Sequence, residues 1–422
     1  MNKTLSAIAA MVLLTAVAFT QIAMRDADAP GVMVDRLERI DAAISEEIET
    51  GEIAGAVALI LRNGDVVYHK SFGLADIESN APMRADSIFR IASMTKAITT
   101  VAAMVLYEQG HFQLNDPVAK YLPEFEQMTV ISAVDEDGNV TATVPATRSI
   151  KIIDLLTHTS GIGYPFIPSK AQKSYQDAGV IDGLTVKDLT LAPQMRLLAT
   201  QPLLFEPGSA FAYGLSTDVL GYLVEVVSGK PLDQFFIDEI FGPLGMNDTH
   251  FYLPEDKAGR LVTLYNAVDG VGLVAHEGSG TDIGANDSLY PILGAKTYYS
   301  GGAGLSSTAH DYALFLQMLL NDGEFDGVRI LGRKSVELMR TGRVDWDGDN
   351  IPDFGLGFAV VSDVGRSGEL ASPGAYAWGG AFDTSYWIDP QENLVGIYMS
   401  QARPTNSDLS ARFKTLVYQA LE

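Results

Sequence analysis

The chain has 422 residues, of which 47% are hydrophobic and 19% are charged, and its formal net charge is −24. This composition is typical of a packed globular protein, and the negative charge repels phosphate backbones, so we expect no nucleic acid partner. The chain contains no cysteine, which excludes disulfides, thiolate nucleophiles and zinc sites with cysteine ligands.

The N-terminus predicts export from the cytoplasm. Lys3 supplies a positive start, residues 5–20 form an uncharged apolar run, and Ala16-Val17-Ala18 is a candidate cleavage site. We therefore expect a periplasmic or secreted protein, with residues 1–29 as the signal and the tail of the mature chain. The alternative is an uncleaved anchor, because the run can be extended to Met24. No later segment is long and apolar enough to predict an integral membrane span in the mature chain.

The mature chain is predicted to begin with a helix and a pair of strands. Apolar residues recur at helical spacing over Val34–Ile48, with acidic residues between them. Asn63-Gly64 lies between the apolar runs Val57–Leu61 and Val66–Tyr68, which strongly indicates a β-hairpin. A long helix is predicted next, over Ser93–Gln109.

The middle third is richer in helix and loop, and extended segments return near the end of the chain. The middle includes segments 152–156, 184–189 and the strongly helical 218–227, a hairpin within 131–145, and a predicted irregular loop over 268–288. A helix over 308–321, strands at 358–361, 381–388 and 394–400, and a helix over 409–421 follow. This order predicts one antiparallel sheet built from both chain ends and a helical lobe between them, with a cleft at their junction.

Several common enzyme signatures are missing from the sequence. It has no G-x-S-x-G elbow and no H-E-x-x-H zinc helix, and its six histidines show no metal-ligand spacing. The glycine-rich stretches match neither a phosphate loop nor a dinucleotide fingerprint. We therefore predict no cofactor and no catalytic metal.

One short motif carries chemistry. Ser93-Met94-Thr95-Lys96 is the only Ser-x-x-Lys in the chain, and it stands at the head of a predicted helix. Residues three apart share a helix face, so the Lys96 amine can reach the Ser93 hydroxyl. The alternative, in which the motif has no catalytic role, is an N-cap serine beside a solvated lysine.

The residues around this motif resemble those of a known family. Phe89–Lys96 resembles the nucleophile segment of the serine β-lactamase and penicillin-binding protein superfamily, and is most similar to the class C β-lactamase-like branch with its family VIII carboxylesterases. Leu155–Gly161, Phe205–Gly208 followed by Tyr213, Ser300–Leu305 and Trp378–Gly380 resemble later landmarks of that branch. The resemblance implies an α/β (α+β) fold of the β-lactamase type over residues 30–422. Its sheet lobe is expected at about 34–92 and 298–422, and its helical lobe at about 93–297.

The resemblance also implies a role for each matching residue. Ser93 is expected to be a nucleophile that forms an acyl-enzyme with a small ester or amide substrate. Lys96 is expected either to act as the base or to hold Tyr213 ionised, and the sequence leaves open which of the two removes the serine proton. The backbone N–H groups of Ser93 and Ala381, the latter on a strand after Trp378-Gly379-Gly380, are the expected oxyanion hole.

Two departures from the family pattern bear on the substrate. Tyr-x-Asn appears here as Tyr213-Gly214-Leu215, and Lys-Thr-Gly appears as Trp378-Gly379-Gly380. The amide and the cation that would hold a β-lactam are therefore missing, since an indole can donate a hydrogen bond but carries no charge. Leu215, Trp378, Gly379 and Gly380 are the predicted substrate-binding residues. We predict hydrolysis of short-chain carboxylic esters, with a β-lactamase, a D-amino-acid peptidase or a non-catalytic binding protein as the alternatives.

Three further features are left open. Asp345, Asp347, Asp349 and Asp353 alternate as in a calcium loop but lack its closing glutamate, so a solvated acidic turn is the alternative. His158 is predicted to be a buried structural donor rather than a base. Tyr376 and Phe382 are candidates for an acyl pocket. The sequence gives no indication of the oligomeric state.

Overall fold

The computed structural model describes residues 31–276 and 289–422, so the predicted export signal lies outside the described residues. The described helices are α1 (Val34–Glu49), α2 (Thr95–Glu108), α3 (Ile152–Leu156), α4 (Gln172–Ala178), α5 (Leu191–Ala199), α6 (Ser216–Ser228), α7 (Leu232–Phe236), α8 (Gly242–Leu244), α9 (Ala309–Leu320), α10 (Arg333–Met339), α11 (Val364–Ser367) and α12 (Leu409–Tyr418). The described strands are β1 (Gly55–Arg62), β2 (Asp65–Asp76), β3 (Ala81–Pro82), β4 (Phe89–Arg90), β5 (Thr129–Val134), β6 (Val140–Pro145), β7 (Tyr265–Val268), β8 (Gly272–Ala275), β9 (Ser306–Ser307), β10 (Glu324–Phe325), β11 (Val328–Arg329), β12 (Ala359–Val360), β13 (Tyr376–Gly380), β14 (Thr384–Asp389) and β15 (Leu394–Met399).

Strands from both ends of the chain form one antiparallel sheet of seven strands. Its order is β12-β13-β14-β15-β1-β2-β3, so β1 from the start of the chain pairs directly with β15 from its end. In that pairing Val57 lies opposite Met399 and Leu61 lies opposite Val395. The predicted fold class, with an antiparallel sheet built from both termini, is therefore confirmed.

Strand β1 separates two hydrophobic cores because its side chains alternate between the faces of the sheet. Val57, Leu59 and Leu61 pack into a large core with α2, α9 and the helical middle of the chain. Ala58 and Ile60 face the other way, into a smaller core formed with α1 and α12. Met94 and Ala97, within and just after the Ser93–Lys96 segment, belong to the first of these cores.

Helix α2 lies at the centre of the molecule. Every residue from Thr95 to Leu106 is buried, which is the pattern of a helix surrounded by protein on all sides. Helix α6 packs against it and is itself buried from Ser216 to Val224. Two of the polar side chains on these buried helices, Lys96 and Asp218, become important below.

Most predicted elements occur within a few residues of their expected bounds, and three differ. Ser93 does not begin a long helix: it lies in a single 3₁₀ turn over Ala92–Met94, and α2 begins at Thr95. The Trp378-Gly379-Gly380 triplet is itself part of β13, so Ala381 lies in the turn before β14 rather than on a following strand. The predicted irregular loop over 268–288 includes the hairpin of β7 and β8, and its residues 277–288 lie outside the described residues.

No helix in the described ranges is both long enough and apolar enough to cross a lipid bilayer. The expected boundaries of the two lobes stay a prediction.

Candidate active site

The Ser93 hydroxyl is presented by a strained turn. Strand β4 pairs with β9 and delivers the chain to Ala92, whose φ of +41° lies in the left-handed region that alanine rarely adopts. Such a backbone conformation costs roughly 1–3 kcal/mol and persists only where the surroundings enforce it. The surroundings here are fully packed, because Ile91 and Met94 on either side of the turn are buried. Ser93 itself is half-buried.

Lys96 lies directly beside Ser93 and is only 2% exposed. Its Nζ lies 3.2 Å from Ser93 Oγ, 3.0 Å from the hydroxyl of Tyr164 and 2.7 Å from the carbonyl oxygen of Gly302. In residues 31–276 and 289–422 no carboxylate forms an ion pair with this amine. The amine is therefore oriented by neutral partners, one of which is the candidate nucleophile.

Tyr164 is a site residue that the sequence analysis missed. Its side chain is buried, its hydroxyl contacts Lys96, and its ring centroid lies 5.6 Å from that of Tyr213. Burial raises the pKa of Tyr164 well above its ordinary value, and the nearby Tyr213 and Asp218 raise it further. Tyr164 is thus a neutral phenol that can donate or accept a hydrogen bond at the lysine amine.

A second missed residue, Asp218, lies behind Gly302. Asp218 is fully buried on α6, and Ser300 Oγ donates a hydrogen bond to its Oδ1 over 2.6 Å. A Cβ atom on Gly302 would lie 2.4 Å from Asp218 Oδ2, so only glycine fits between the carboxyl group and the carbonyl that Lys96 contacts. Burial raises the pKa of Asp218, and the Ser300 hydrogen bond and the Lys96 ammonium partly oppose that rise.

Tyr213 lies beside Lys96 because the next residue, Gly214, packs very closely against the backbone of Ile162. A Cβ atom on Gly214 would lie 2.1 Å from the carbonyl oxygen of Ile162, so the middle position of the Tyr-x-Asn motif requires glycine here. This contact fixes the tyrosine beside the Lys96 amine, whose Nζ lies 4.6 Å from the Tyr213 ring centroid. The Tyr213 hydroxyl accepts a hydrogen bond from Trp378 Nε1 at 3.1 Å. Lys96 therefore contacts both the Ser93 hydroxyl and the Tyr213 ring, and the Tyr213 hydroxyl is bound to Trp378.

Tyr213 and Trp378 are also part of a group of rings in edge-to-face or tilted contact, which we call the aromatic cluster: Phe211, Tyr213, Trp346, Phe354 and Trp378. The Trp378 ring centroid lies 5.4 Å from those of Tyr213 and Phe354 and 5.7 Å from that of Trp346. Phe211 completes the cluster, with its ring centroid 5.2 Å from that of Phe354 and 6.2 Å from that of Trp346. This wall of the site offers apolar ring surface and an indole donor.

His158 lies beneath the aromatic cluster and is nearly inaccessible to solvent. Its ring centroid lies 4.9 Å from that of Tyr213, and its carbonyl oxygen accepts the backbone N–H of Ala212 at 2.8 Å. Burial, with a smaller contribution from the Lys96 charge, lowers the pKa of His158 to about 3. The ring is therefore neutral at physiological pH. Its Nδ1 has no hydrogen-bond partner among the described residues, so its packing and its backbone carbonyl support the tyrosine segment.

The end of β13 meets the nucleophile turn. A Cβ atom on Gly380 would lie 2.4 Å from the carbonyl oxygen of Ile91, so the strand end touches the residue two positions before Ser93. Ala381 follows directly and is exposed in the turn. The backbone of Ala381 and the backbone of Ser93 thus belong to two segments in contact.

The remaining predicted substrate-binding residues divide into two groups. Trp378, Gly379 and Gly380 are half-buried on β13, where Trp378 faces Tyr213. Leu215 is wrong as a substrate-binding residue, because its side chain is fully buried in the large hydrophobic core. Tyr376 and Phe382 are also buried, Tyr376 in that core and Phe382 in a small cluster with Ala92.

The acidic turn forms a compact group of carboxylates. Asp345, Asp347 and Asp349 place carboxylate oxygens within 4.8 Å of one another, and Asp353 follows four positions later in the chain. Burial, together with Asp347 and Asp349, raises the pKa of Asp353. Several of these carboxylates accept backbone N–H groups of the same turn, for example Asp345 from Gly348 at 2.8 Å. Whether the turn holds calcium stays an open prediction.

Comparison with known proteins identifies the family. The family model described as Beta-lactamase matches residues 40–420. The chain belongs to the beta-lactamase family. Esterase EstB of Burkholderia gladioli is 32% identical over 362 residues, which cover 83% of this chain and 86% of EstB. Lovastatin esterase of Penicillium rubens is 32% identical over 402 residues, which cover 89% of this chain and 96% of that protein.

A solved structure shows the same fold. The structure titled EstCE1, a hydrolase with promiscuous acyltransferase activity, superimposes with a TM-score of 0.77 at 31% identity and covers 92% of this chain and 98% of its own. The resemblance to the serine β-lactamase and penicillin-binding protein superfamily is therefore confirmed. The named relatives are hydrolases of that family, which supports an enzyme.

Proposed function

We propose that this protein is an esterase that hydrolyses short-chain carboxylic esters through an acyl-enzyme on Ser93. The observation that carries the proposal is the 3.2 Å contact between Ser93 Oγ and the buried Lys96 Nζ. An amine at hydrogen-bond distance from a serine hydroxyl is the arrangement that activates a nucleophile. The esterases among the relatives of this chain support the choice of substrate.

In the acylation step, Ser93 Oγ attacks the ester carbonyl carbon and its proton moves to the Lys96 amine. The tetrahedral intermediate then collapses, the bond to the alcohol oxygen breaks, and the leaving alkoxide takes up a proton. Lys96 is the base in this proposal because its Nζ contacts Ser93 directly, whereas the Tyr213 hydroxyl is bound to Trp378. The Lys96 ammonium then gives this proton to the leaving alkoxide, and the Tyr213 ring, whose centroid lies 4.6 Å from Nζ, stabilises the ammonium while it is charged.

In the deacylation step, water attacks the acyl-enzyme and releases the carboxylic acid. The proton released by the water passes to the Lys96 amine, and Lys96 gives it to Ser93 Oγ as the acyl bond breaks, so the enzyme returns to its starting state. The negative oxygen of both intermediates is assigned to the backbone N–H groups of Ser93 and Ala381. The contact between Gly380 and Ile91 supports this assignment, because it brings the two segments to one corner of the site. Removing one such donor typically costs about 3–4 kcal/mol of transition-state stabilisation.

The aromatic cluster supports an uncharged group next to the reacting carbonyl. Trp378 occupies the position where the family pattern has a lysine, and its Nε1 is already engaged by Tyr213. A β-lactam or a peptide ending in D-alanine carries a carboxylate that would meet ring surface at this position. An ester avoids that desolvation cost.

The test is an assay of the purified protein against 4-nitrophenyl acetate, butyrate and octanoate and against a chromogenic cephalosporin. We expect turnover of the two short esters, weaker turnover of the octanoate and little turnover of the cephalosporin. In Ser93→Ala we expect the ester activity to fall by about 10⁴-fold or more. Ser79→Ala is the matched control, because Ser79 is an exposed serine in the turn after β2.

Mass spectrometry of the protein quenched during turnover should find the acyl group on the peptide that contains Ser93. Ester turnover that survives in Ser93→Ala would refute the assigned nucleophile. Fast cephalosporin turnover without ester turnover would show a β-lactamase instead. The absence of any covalent adduct with acylating probes would favour a non-catalytic binding protein.

A further inference from the structure

An arginine lies between two aromatic rings at the edge of the site. Arg403 follows β15 and is half-buried. Its guanidinium carbon lies 5.6 Å from the ring centroid of Phe166 and 5.9 Å from that of Phe382. Both distances are within the range of cation–π attraction, so the two rings hold the guanidinium in a defined place.

Each of the two rings adjoins the reaction centre from a different side. The Phe166 ring packs against the Tyr164 ring in a tilted arrangement with 4.7 Å between centroids, and the Tyr164 hydroxyl contacts the Lys96 amine. Phe382 follows Ala381 in sequence and packs in a small cluster with Ala92, the residue before Ser93. Arg403 therefore bridges the Tyr164 side and the Ala381 side of the site.

No side chain among the described residues neutralises the charge on Arg403. A guanidinium has several N–H donors, and aromatic rings are poor hydrogen-bond acceptors. In the described ranges, the Arg403 side chain has neither an ion pair nor a hydrogen bond. Arg148, by contrast, is paired in the usual way, because it binds Asp154 through two N–H groups at 2.7 and 3.0 Å.

This arrangement is unusual in a chain with 53 acidic and 29 basic residues, where a carboxylate partner is easily found. An unpaired guanidinium beside a reaction centre is suited to bind a carboxylate, whose two oxygens match its N–H donors. Phe166 is 42% exposed, so the surroundings of Arg403 are open to a ligand from solvent.

We propose that Arg403, held between Phe166 and Phe382, binds an anionic group of the substrate, and that the enzyme prefers esters with a carboxylate several bonds away from the reacting carbonyl. This inference rests on the proposed esterase function and adds a substrate class to it. It agrees with the uncharged aromatic cluster, because the Trp378 side takes the neutral part of the ester and the Arg403 side takes the charged end.

The experiment compares two esters that differ in one charge, 4-nitrophenyl hydrogen adipate and 4-nitrophenyl hexanoate. For the wild type we expect the higher kcat/KM with the adipate. In Arg403→Gln we expect the ratio of the two kcat/KM values to fall about tenfold or more, since hydrogen bonds to charged groups have this strength. Arg403→Lys should keep part of the preference, because it keeps the charge but loses the paired donors.

Arg39→Gln is the matched control, because it removes the same charge from an exposed position on α1, which packs on the opposite face of the sheet. Its ratio should equal that of the wild type. High salt should lower the wild-type preference for the adipate and leave the hexanoate unchanged. If Arg403→Gln lowers both rates in the same proportion, or if the wild type shows no preference for the adipate, Arg403 is a structural clamp and the proposal is wrong.

A binding measurement separates this proposal from the esterase function. Adipate is titrated calorimetrically into Ser93→Ala and into Ser93→Ala combined with Arg403→Gln, neither of which needs turnover. Binding that is present in the first variant and at least tenfold weaker in the second supports the anion site even if no ester is hydrolysed. Equal binding in the two variants, or none in either, overturns the anion site even if the esterase assay succeeds.

Discussion

The two walls of the candidate site handle polarity in opposite ways. On the lysine wall, Lys96, Tyr164 and Gly302 are buried or backbone groups that satisfy one another within 3.0 Å, and Asp218 lies behind them. The aromatic cluster on the facing wall contains no charge and contributes one indole hydrogen bond, from Trp378 to Tyr213. From this contrast we expect the lysine wall to transfer protons and the aromatic cluster to select the substrate.

The largest expected effect comes from removing the amine of the lysine wall. Lys96→Met keeps the length of the side chain but leaves Ser93 without a base, so we expect kcat/KM for 4-nitrophenyl butyrate to fall about 10³-fold or more. Lys334→Met, at a strongly exposed position on α10, is the control. A loss below about tenfold would transfer the role of base to Tyr213.

The second effect concerns the carboxylate behind Gly302. Asp218→Asn removes a charge that stabilises the Lys96 ammonium formed during acylation, so we expect kcat to fall about ten- to hundredfold with little change in KM. Because burial raises the pKa of Asp218, its protonation in the wild type should contribute a loss of kcat on the acid side, at a pH above the range of an ordinary aspartate.

That acid-side loss should be absent in Asp218→Asn and kept in Ser300→Ala, which removes a hydrogen bond to Asp218 but leaves its charge. The measurement is the pH dependence of kcat for the three proteins. If the two variants lose activity equally and keep the wild-type profile, Asp218 has only a structural role.

The prediction for His158 concerns the stability of the folded protein rather than its catalysis. Its pKa is lowered from 6.5 to about 3 in the folded protein, so between these values the unfolded chain binds a proton that the folded chain does not. The free energy of unfolding must therefore fall as the pH falls through this window, by about 2 kcal/mol at pH 5. Above pH 6.5 His158 is neutral in both the folded and the unfolded chain, so this loss of stability is absent.

His158→Phe keeps a ring in the cluster and removes the titration. Denaturant unfolding at pH 7 and pH 5 should show a smaller loss of stability for this variant than for the wild type. An equal loss in both proteins would mean that His158 can be protonated in the folded state.

The smallest change in kcat is expected from a substitution in the aromatic cluster. Trp378→Phe removes the hydrogen bond to the Tyr213 hydroxyl and keeps an aromatic ring, so kcat should fall by at most about tenfold. Trp346→Phe makes the same chemical change at a cluster residue that does not bind Tyr213, and it should leave kcat unchanged. If the two variants behave alike, the indole acts only through packing.

Local sequence patterns were sufficient for much of the fold. The Asn63-Gly64 turn predicts the hairpin of β1 and β2, and the helical spacing of residues 34–48 predicts α1, because turn chemistry and periodicity are properties of neighbouring residues. The Ser-x-x-Lys spacing places Lys96 beside Ser93 for the same reason. The family resemblance supplied Tyr213, which lies 120 residues from Ser93.

The sequence did not predict Tyr164 and Asp218, which belong to none of the family motifs. Tyr164 follows the Leu155–Gly161 segment by three positions, and Asp218 is a buried acid on the otherwise largely apolar helix α6. Each gave a weak signal, since a tyrosine or a single acid in such a place is common. Their contacts with Lys96 and with Gly302 depend on how α2, α6 and the Ser300–Leu305 segment pack.

The amino-acid sequence by itself determined helices such as α1, α9 and α12, the hairpin of β1 and β2 and the serine–lysine pair, because each depends on residues that are close along the chain. Only the tertiary structure decided that Trp378 binds the Tyr213 hydroxyl, that Leu215 belongs to the core, and that Arg403 lies between Phe166 and Phe382. Trp378 is 165 residues from Tyr213 and Arg403 is 237 residues from Phe166, so these two contacts form only when the sheet closes on the helical middle of the chain.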